Sequence, residues 1–325
     1  MKKAKTTMNE LSNITVQEAA DFLLEHDNYE ILCHAHPDGD TFGSGYGLCG
    51  ALQRLGKKAR VVCADPVSKR LAHVRDGVKE QIFEAETFVS VDIADKKLLG
   101  TKEEAYGEKI QLAIDHHVSH VPFAEKRLVE ADAAAAAEIV FEVIKAMGVP
   151  MDRELAACLY TGIATDTGCF KFGNTTPRTH RLAAELMEYG FDWAGLDYVL
   201  FDLKTKARIE LERKAMEGLE FFCGGKAAVF VMTKAMLEGV DTEDSNGLAA
   251  MPRMIEGVEV GIVIREEEKG WKASLRSNSY IDVQEICKTM GGGGHKRAAG
   301  CTVEGTMEQA KEKIKQAVSA ALEQA

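Results

Sequence analysis

The chain has 325 residues, and its 40 Lys and Arg residues against 51 Asp and Glu residues give a formal net charge of −11. A hydrophobic fraction of 46% with only six prolines is typical of an ordered globular chain, and the length predicts about two domains. No apolar run approaches the roughly 18–20 residues that cross a bilayer, and residues 1–13 lack the apolar core of a signal peptide. We therefore expect a cytoplasmic protein that does not coat long nucleic acid with a broad basic surface.

The eight cysteines are scattered along the chain, and none forms a Cys-x-x-Cys pair. Cys33 and Cys63, for example, lie in apolar contexts. This pattern favours reduced thiols in the core of a cytoplasmic protein over the disulfide framework of a small secreted domain or a zinc-thiolate site.

Strand and helix patterns alternate over the first half of the chain. Thr15 and Glu18 form a capping-box pattern at the start of the first predicted helix. Short apolar runs predict strands at 29–35, 59–64, 87–94 and 109–115, with a helix at 42–56 after the first of them. This alternation indicates an α/β fold with a doubly wound, mainly parallel sheet. Ligands of such sheets bind beyond the carboxyl ends of the strands.

The pattern changes after a long charged stretch, for which we predict a connecting helix at about 203–222. Strand-like segments at 227–233, 258–266 and 271–277 are followed by helical segments at 282–290 and 307–325. These segments predict a smaller α+β domain. We therefore expect an N-terminal domain over 1–202, a helical linker over 203–224 and a C-terminal domain over 225–325.

Histidines and carboxylates cluster in two segments that each follow a predicted strand, and they comprise His34, His36, Asp38, Asp40, Asp115, His116, His117 and His120. Asp92 ends a third strand, and Asp166 lies in a segment rich in Thr and Gly. Imidazoles and carboxylates without thiolates suit Mn²⁺ or Mg²⁺ better than Zn²⁺. Two such ions about 3.5–4 Å apart can activate a water and bind both oxygens of a phosphoryl displacement.

Each of these segments also has a purely structural interpretation. Pro37 and Gly39 can shape an ordinary turn in which Asp40 caps the following helix, and Asp166 can cap a turn around Gly168. The pair His116-His117 is harder to explain in this way, because polar groups at the end of a buried strand need partners. Taken together, the segments predict a metal centre.

The polar segments resemble, in order, the four motifs of the DHH phosphoesterase superfamily: His34-x-x-x-Asp38-x-Asp40, Asp92, Asp115-His116-His117 and Asp166. The run Gly291–His295, with Leu275-Arg276-Ser277 before it, resembles the DHH-associated C-terminal domain. Length and two-domain layout are most similar to the nano-RNase and pAp phosphatase subfamily. Its members degrade very short oligonucleotides and dephosphorylate 3′-phosphoadenosine 5′-phosphate (pAp).

The resemblance implies one ion held by His34, Asp38 and Asp92, and a second held by Asp40, Asp92, His116 and Asp166. Asp92 would then be shared by both ions. Asp115 would orient a histidine, and His117 would contact the substrate phosphate as a hydrogen-bond donor or acid. His36 and His120 stand where many members carry Asn or another polar residue, and neither is counted as a ligand.

The glycine run of the C-terminal domain can present several backbone N–H groups to a phosphate. A helix end followed by a flexible joint is the structural alternative. The resemblance favours substrate binding at this run and on the strand before it, by Arg276, Ser277, Gly292, Gly293, Gly294 and His295.

These features predict a two-metal-ion phosphoesterase that uses Mn²⁺, with Mg²⁺ as the alternative. Its expected substrates are pAp and short oligoribonucleotides, which it would cleave as an exoribonuclease. We do not expect it to bind long duplex nucleic acid or membranes. Whether it forms a homodimer is left open. One alternative is hydrolysis of a cyclic dinucleotide or its linear product. Another is a nucleotide-binding sensor without hydrolysis.

Overall fold

A computed structural model describes residues 13–240, 245 and 247–325. The chain divides into two compact units, Met1–Leu203 and Lys204–Ala325. Residues 1–12 lie outside the described residues. They make up most of the N-terminal segment 1–13, which we do not expect to be a signal peptide. Within the described part, no helix combines the length and apolar character needed to cross a membrane.

The first unit contains a five-stranded sheet in the order β2-β1-β3-β4-β5. Its strands are β1 (Tyr29–Leu32), β2 (Ala59–Val62), β3 (Thr87–Val91), β4 (Leu112–Asp115) and β5 (Lys126–Val129). All four neighbouring pairs are parallel. The predicted α/β class with a parallel sheet is thereby confirmed.

The strand order places a topological switch point between β1 and β3. From β1 the chain moves outward to β2, then returns across β1 to form β3 on its other side. His34 lies two residues after β1, Asp92 directly follows β3, and Asp115 is the last residue of β4. The polar segments therefore meet at the carboxyl ends of adjacent strands, where sheets of this kind bind ligands.

The described α-helices of the first unit are α1 (Val16–Glu25), α2 (Gly39–Arg54), α3 (Glu103–Tyr106), α4 (Ala136–Ala146), α5 (Arg153–Asp166), α6 (Pro177–Met187) and α7 (Trp193–Asp197). The core packs sheet residues such as Ile31 against helix residues such as Leu23 and Phe141. Helices α2 and α5 approach closely, because a Cβ atom at Gly43 would lie 2.4 Å from the carbonyl oxygen of Cys158. This packing holds the first turn of α2 beside α5.

The second unit contains a six-stranded mixed sheet in the order β10-β11-β9-β8-β7-β6; among its described strand pairs, β7–β8 is parallel and the other four are antiparallel. Its strands are β6 (Glu220–Phe222), β7 (Ala227–Met232), β8 (Val260–Glu267), β9 (Gly270–Ser277), β10 (Gly293–His295) and β11 (Ala298–Val303). Its described helices include α8 (Lys206–Glu217), α9 (Lys234–Leu237), α10 (Val283–Lys288) and α11 (Met307–Glu323). This mixed sheet with helices matches the predicted α+β class.

Two segments differ from their predicted conformation. The charged helix predicted to extend to about residue 222 ends at Glu217, and Glu220–Phe222 pair with β7 instead. The glycine run is not wholly a loop, because Gly293–His295 form the edge strand β10 against β11. In both cases strand pairing within the second sheet replaces the local pattern.

Candidate active site

His34, Asp38 and Asp92 form the first group of potential metal ligands. The Nε2 atom of His34 lies 3.7 Å from Oδ1 of Asp38 and 3.5 Å from Oδ2 of Asp92. Its Nδ1 atom donates a hydrogen bond to the carbonyl oxygen of Ala35 at 2.9 Å. That bond leaves Nε2 as the nitrogen available to a cation, the arrangement usual for metal-binding histidines.

His116 is the centre of a second group. Its Nε2 atom lies 3.4 Å from Oδ1 of Asp92, 3.5 Å from Oδ2 of Asp166 and 3.8 Å from Oδ2 of Asp40. Its Nδ1 atom donates to the carbonyl oxygen of Ala133 at 3.2 Å. The four side chains come from α2, α5 and the ends of β3 and β4, so only the folded unit brings them together.

Asp92 links the two groups. One carboxylate oxygen faces His34 and the other faces His116. The side chain is only 3% exposed, and its Oδ1 accepts no hydrogen bond from the described residues. Its φ of 58° is a left-handed conformation that few residues other than Gly, Asn and Asp adopt readily. A buried carboxylate oxygen without a donor suits a cation, so the observed donors fit a pair of divalent ions.

The carboxylates of the first polar segment also cap helices. Asp38, and not Asp40, caps α2, because its Oδ1 accepts hydrogen bonds from the backbone N–H groups of Asp40 and Thr41. Asp40 instead caps α4 across the unit, with bonds of 2.6 and 2.9 Å from the N–H groups of Ala136 and Ala137. The alternative interpretation in which Asp40 caps its own helix is therefore wrong.

Asp115 contacts two further histidines, His117 and His120. Of these, His117 also lies close to Asp92 and His116, with its Nδ1 atom 3.6 Å from Oδ1 of Asp92. The Oδ1 atom of Asp115 accepts a hydrogen bond from Nδ1 of His117 at 2.8 Å, and its Oδ2 accepts one from Nδ1 of His120 at 2.6 Å. The His117 side chain is 40% exposed, whereas that of His120 is 4% exposed. Asp115 therefore orients His117 while His120 secures the other carboxylate oxygen.

We predict that two substitutions of His120 will separate the effect of its hydrogen-bond donor on turnover from the effect of its size. Asn in place of His120 can still donate to Asp115, so His120→Asn should retain most of the turnover. His120→Ala removes the donor and should lower kcat by about 10- to 100-fold, the usual loss when a group that orients a metal site is removed. Steady-state kinetics and thermal melting of both variants test this, and equal kcat values for the two would contradict it.

The charges at the site favour a bound cation. Burial alone would lower the pKa of His34, but the adjoining carboxylates of Asp38 and Asp92 raise this pKa to about 11. Burial would also lower the pKa of His116, but Asp92 and Asp40 raise it to about 10. Burial, with Asp92 and Asp166 nearby, raises the pKa of Asp40 well above its usual range. In the absence of metal these groups would bind protons. Metal binding should therefore release protons and weaken as the pH falls.

The predicted binding residues of the second unit lie in part along one row of its sheet. His295 pairs with Ala298, Ala298 pairs with Arg276, and Arg276 pairs with Gly261. Directly opposed residues of antiparallel strands share a face, so His295 and Arg276 flank a surface made of small residues. This face suits an anionic group that two side chains can reach.

Ser277 does not belong to this row. It follows Arg276 and therefore lies on the opposite face, where its buried hydroxyl donates to the carbonyl oxygen of Ile281 at 2.7 Å.

Arg253 also lies at this row, and the sequence did not predict it as a binding residue. A Cβ atom at Gly261 would lie 2.5 Å from the Arg253 backbone nitrogen, and the buried Nε of Arg253 has no hydrogen-bond partner among the described residues.

Of the remaining predicted residues, Gly292, Gly293 and Gly294 precede His295 directly, at and beside the edge strand. His36, set aside as a ligand, is 96% exposed, and its ring lies 3.8 Å from Asp65. The structure thus brings the six predicted metal ligands together and places His36 outside them.

Comparisons with known proteins identify the same two units. A model of the DHH family N-terminal domain matches residues 29–163, and a model of the DHHA1 domain matches residues 224–324. A bifunctional oligoribonuclease and PAP phosphatase from Thermus thermophilus is 34% identical over 294 residues, which are 89% of this chain and 88% of that protein. A protein of the same name from Bacillus subtilis is 25% identical, over 83% of this chain and 87% of that protein.

A solved structure shows the same fold. The crystal structure of an exopolyphosphatase-related protein from Bacteroides fragilis is 24% identical with a TM-score of 0.84, and the match covers 94% of this chain and 95% of that chain. The motif-based resemblance is therefore confirmed. The chain belongs to the DHH family and carries a DHHA1 domain in its second unit.

Proposed function

We propose that this chain is a two-metal-ion phosphoesterase that hydrolyses short oligoribonucleotides of about two to five nucleotides, and pAp. Membership of the DHH family and likeness to bifunctional oligoribonucleases and PAP phosphatases support hydrolysis of phosphoesters. The net charge of −11 disfavours long polymers, which are bound by neutralising many phosphates, but not a substrate with a few phosphates.

The observation that carries the proposal is the buried carboxylate of Asp92 between two histidines. Each of its oxygens lies within 3.5 Å of a different imidazole nitrogen. We assign His34, Asp38 and Asp92 to one ion, and Asp40, Asp92, His116 and Asp166 to the other. A binding-only protein would have no need of a carboxylate shared in this way.

When bound, two divalent ions would supply an activated water and offset the charge that develops on the phosphoryl oxygens. We propose Mn²⁺ as the preferred ion, because the donors combine imidazoles with carboxylates and the candidate groups contain no thiolate among the described residues.

His117 is positioned to act on the substrate. Its Nδ1 donates to Asp115, so its Nε2 remains for the phosphate or the leaving oxygen. The hydrogen bond that His117 donates to the Asp115 carboxylate raises the pKa of His117, which favours the donor form of the ring. We assign it the role of a hydrogen-bond donor or general acid.

In the second unit, we assign a terminal phosphate to the row formed by His295 and Arg276, beside the glycine run. Arg276 offers a planar fork that matches a phosphate, and its Nη1 atom donates to a backbone carbonyl oxygen, that of Leu275, at 3.0 Å. Arg253, which packs over Gly261 in the same row, adds a second guanidinium group. Ser277, whose hydroxyl is already bonded, contributes to the position of the strand.

We predict that Gly294→Ala will weaken nucleotide binding. Gly294 has a φ of 141°, and a Cβ atom there would lie 2.5 Å from the carbonyl oxygen of Ala298. The shifted strand should lose a hydrogen bond to the charged phosphate and raise KM for pAp by about 10- to 100-fold. Gly293→Ala has no atom within 4 Å of the added Cβ and should raise KM much less. Equal KM values for the two variants would argue against the assignment.

The proposed activity is tested by incubating the full chain and Mn²⁺ with a panel of phosphoesters. The panel contains 5′-labelled RNA of two to twenty-four nucleotides, pAp, a cyclic dinucleotide and pyrophosphate. Preferential cleavage of the shortest RNA supports the proposal. Preferential cleavage of the cyclic dinucleotide supports the alternative phosphodiesterase, and metal binding without any turnover supports the sensor.

A further inference from the structure

The loop after Asp166 begins and ends beside the metal centre. Thr167 follows Asp166 directly, and Nδ2 of Asn174 donates to the carbonyl oxygens of Asp166 at 3.1 Å and of Ala134 at 3.0 Å. The neighbouring carbonyl of Ala133 accepts the hydrogen bond from His116. Residues 167–174 therefore form a lobe that is attached to the candidate active site at both ends.

Within this lobe, three consecutive residues adopt left-handed backbone conformations. Gly168, Cys169 and Phe170 have φ values of 57°, 56° and 61°. Such conformations are unfavourable for residues other than glycine and persist where the surroundings enforce them. Here the side chain and carbonyl of Thr167 do so, by accepting hydrogen bonds from the N–H groups of Phe170, Lys171 and Phe172.

The left-handed turn gives two nearby aromatic rings different environments. Phe170 is half-buried and stacks on His180 with ring centroids 5.2 Å apart. Phe172 is 54% exposed. The tip of its ring rests on Gly168, where an added Cβ atom would lie 2.4–2.6 Å from Cζ and the two Cε atoms. Contact through the ring tip leaves the ring faces free of Gly168.

Phe172 also lies within reach of a nucleotide at the metal centre. Successive Cα atoms are 3.8 Å apart, so Gly168 is at most about 7.6 Å from Asp166 along the backbone. Among the described residues, no aromatic ring or cation stacks on Phe172. An exposed aromatic ring at this distance is suited to the flat face of a base.

We propose that Phe172 is a stacking platform for the nucleobase attached to the phosphate at the metal centre. This inference rests on the proposed function and adds a base subsite to it. Stacking on an aromatic ring is tolerant of sequence, because every base has a π face. The subsite would thus let the enzyme accept any short RNA while favouring base-bearing phosphoesters over pyrophosphate.

The kinetic test combines a protein change with a substrate change. We expect Phe172→Ala to lower kcat/KM for a dinucleotide by about 5- to 150-fold, the range for loss of one base–aromatic stack. The same dinucleotide lacking the base beside the scissile phosphate should be a poor substrate for both proteins and be cleaved equally by them. Phe172→Tyr should restore most of the loss.

Tyr198→Ala is the matched control. Tyr198 is also 54% exposed, but it lines a cavity of about 640 Å³ together with Arg153 at the other end of α5. None of the residues that line this cavity is an assigned metal ligand or belongs to the lobe 167–174. An equal loss with both substrates for Phe172→Ala, or a similar loss for Tyr198→Ala, would overturn the base subsite.

A binding measurement separates this inference from the proposed hydrolysis. The Phe172→Trp substitution adds tryptophan fluorescence to that of the unmodified chain. AMP should quench this added fluorescence, and ribose 5-phosphate should not. Quenching by AMP in a protein that hydrolyses no nucleotide would support the base subsite and refute the proposed hydrolysis. Hydrolysis of RNA without base-dependent quenching would support the proposed function and refute the base subsite.

Discussion

Asp92→Asn should abolish hydrolysis while leaving the fold intact. Asn has nearly the same shape as Asp and tolerates the left-handed backbone at this position, where φ is 58°. It lacks the negative charge that we assign to both ions. Removing a residue that merely orients a metal ligand costs about 10- to 100-fold, so losing the shared carboxylate should lower kcat by on the order of 1000-fold or more.

Asp95→Asn is the matched control for this change. Asp95 lies three residues further along the same segment, where it caps a short 3-10 helix through the backbone N–H group of Lys97. It should keep turnover close to that of the unmodified chain. Near-normal turnover of Asp92→Asn in Mn²⁺, with melting temperatures unchanged, would refute the assignment of Asp92.

Removal of metal should lower the stability of the first unit. A ligand that binds only the folded state adds about 2.7 kcal/mol to the free energy of unfolding at 100 times its Kd. For a unit of about 200 residues, this corresponds to a melting temperature roughly 5–10 °C higher for each bound ion. Scanning calorimetry in EDTA and in excess Mn²⁺ measures the difference.

The physical reason for this stabilisation is the crowding of carboxylates around Asp92. Asp40 is buried and Asp166 is partly buried beside it, and burial raises the pKa of Asp166 to about 6. A divalent cation offsets this repulsion in the folded state only. The Asp92→Asn variant should therefore lose most of the Mn²⁺-dependent increase, whereas equal melting temperatures in EDTA and Mn²⁺ for the unmodified chain would contradict a metal centre.

The elements that the sequence predicted are those with strong local patterns. The buried strands β1 and β3 are short apolar runs, and α1 begins with the capping box of Thr15 and Glu18. The strand β5 was missed because it lies at the sheet edge, and of its four residues only Leu128 is buried. The strand β10 was missed because its conformation depends on pairing with β11 and not on its own glycines.

The candidate site could be predicted to a similar extent. The first three motifs follow strands whose carboxyl ends meet at one edge, so their proximity was implied by the fold class, whereas Asp166 ends the helix α5. The capping of α4 by Asp40 could not be foreseen, since it joins residues 96 positions apart. The N-cap position of α4 is Ala135, whose side chain cannot accept a hydrogen bond. This was the only signal in the sequence that a distant residue must cap the helix.

The most direct test of the two-ion account is the rate of dinucleotide hydrolysis as metal-free full chain is titrated with Mn²⁺. Bound metal is measured in the same samples. We expect two ions to bind per chain, with the rate rising mainly as the second ion binds, because both sites share Asp92. Full activity with one ion or with none, or two bound ions without hydrolysis, would contradict the account.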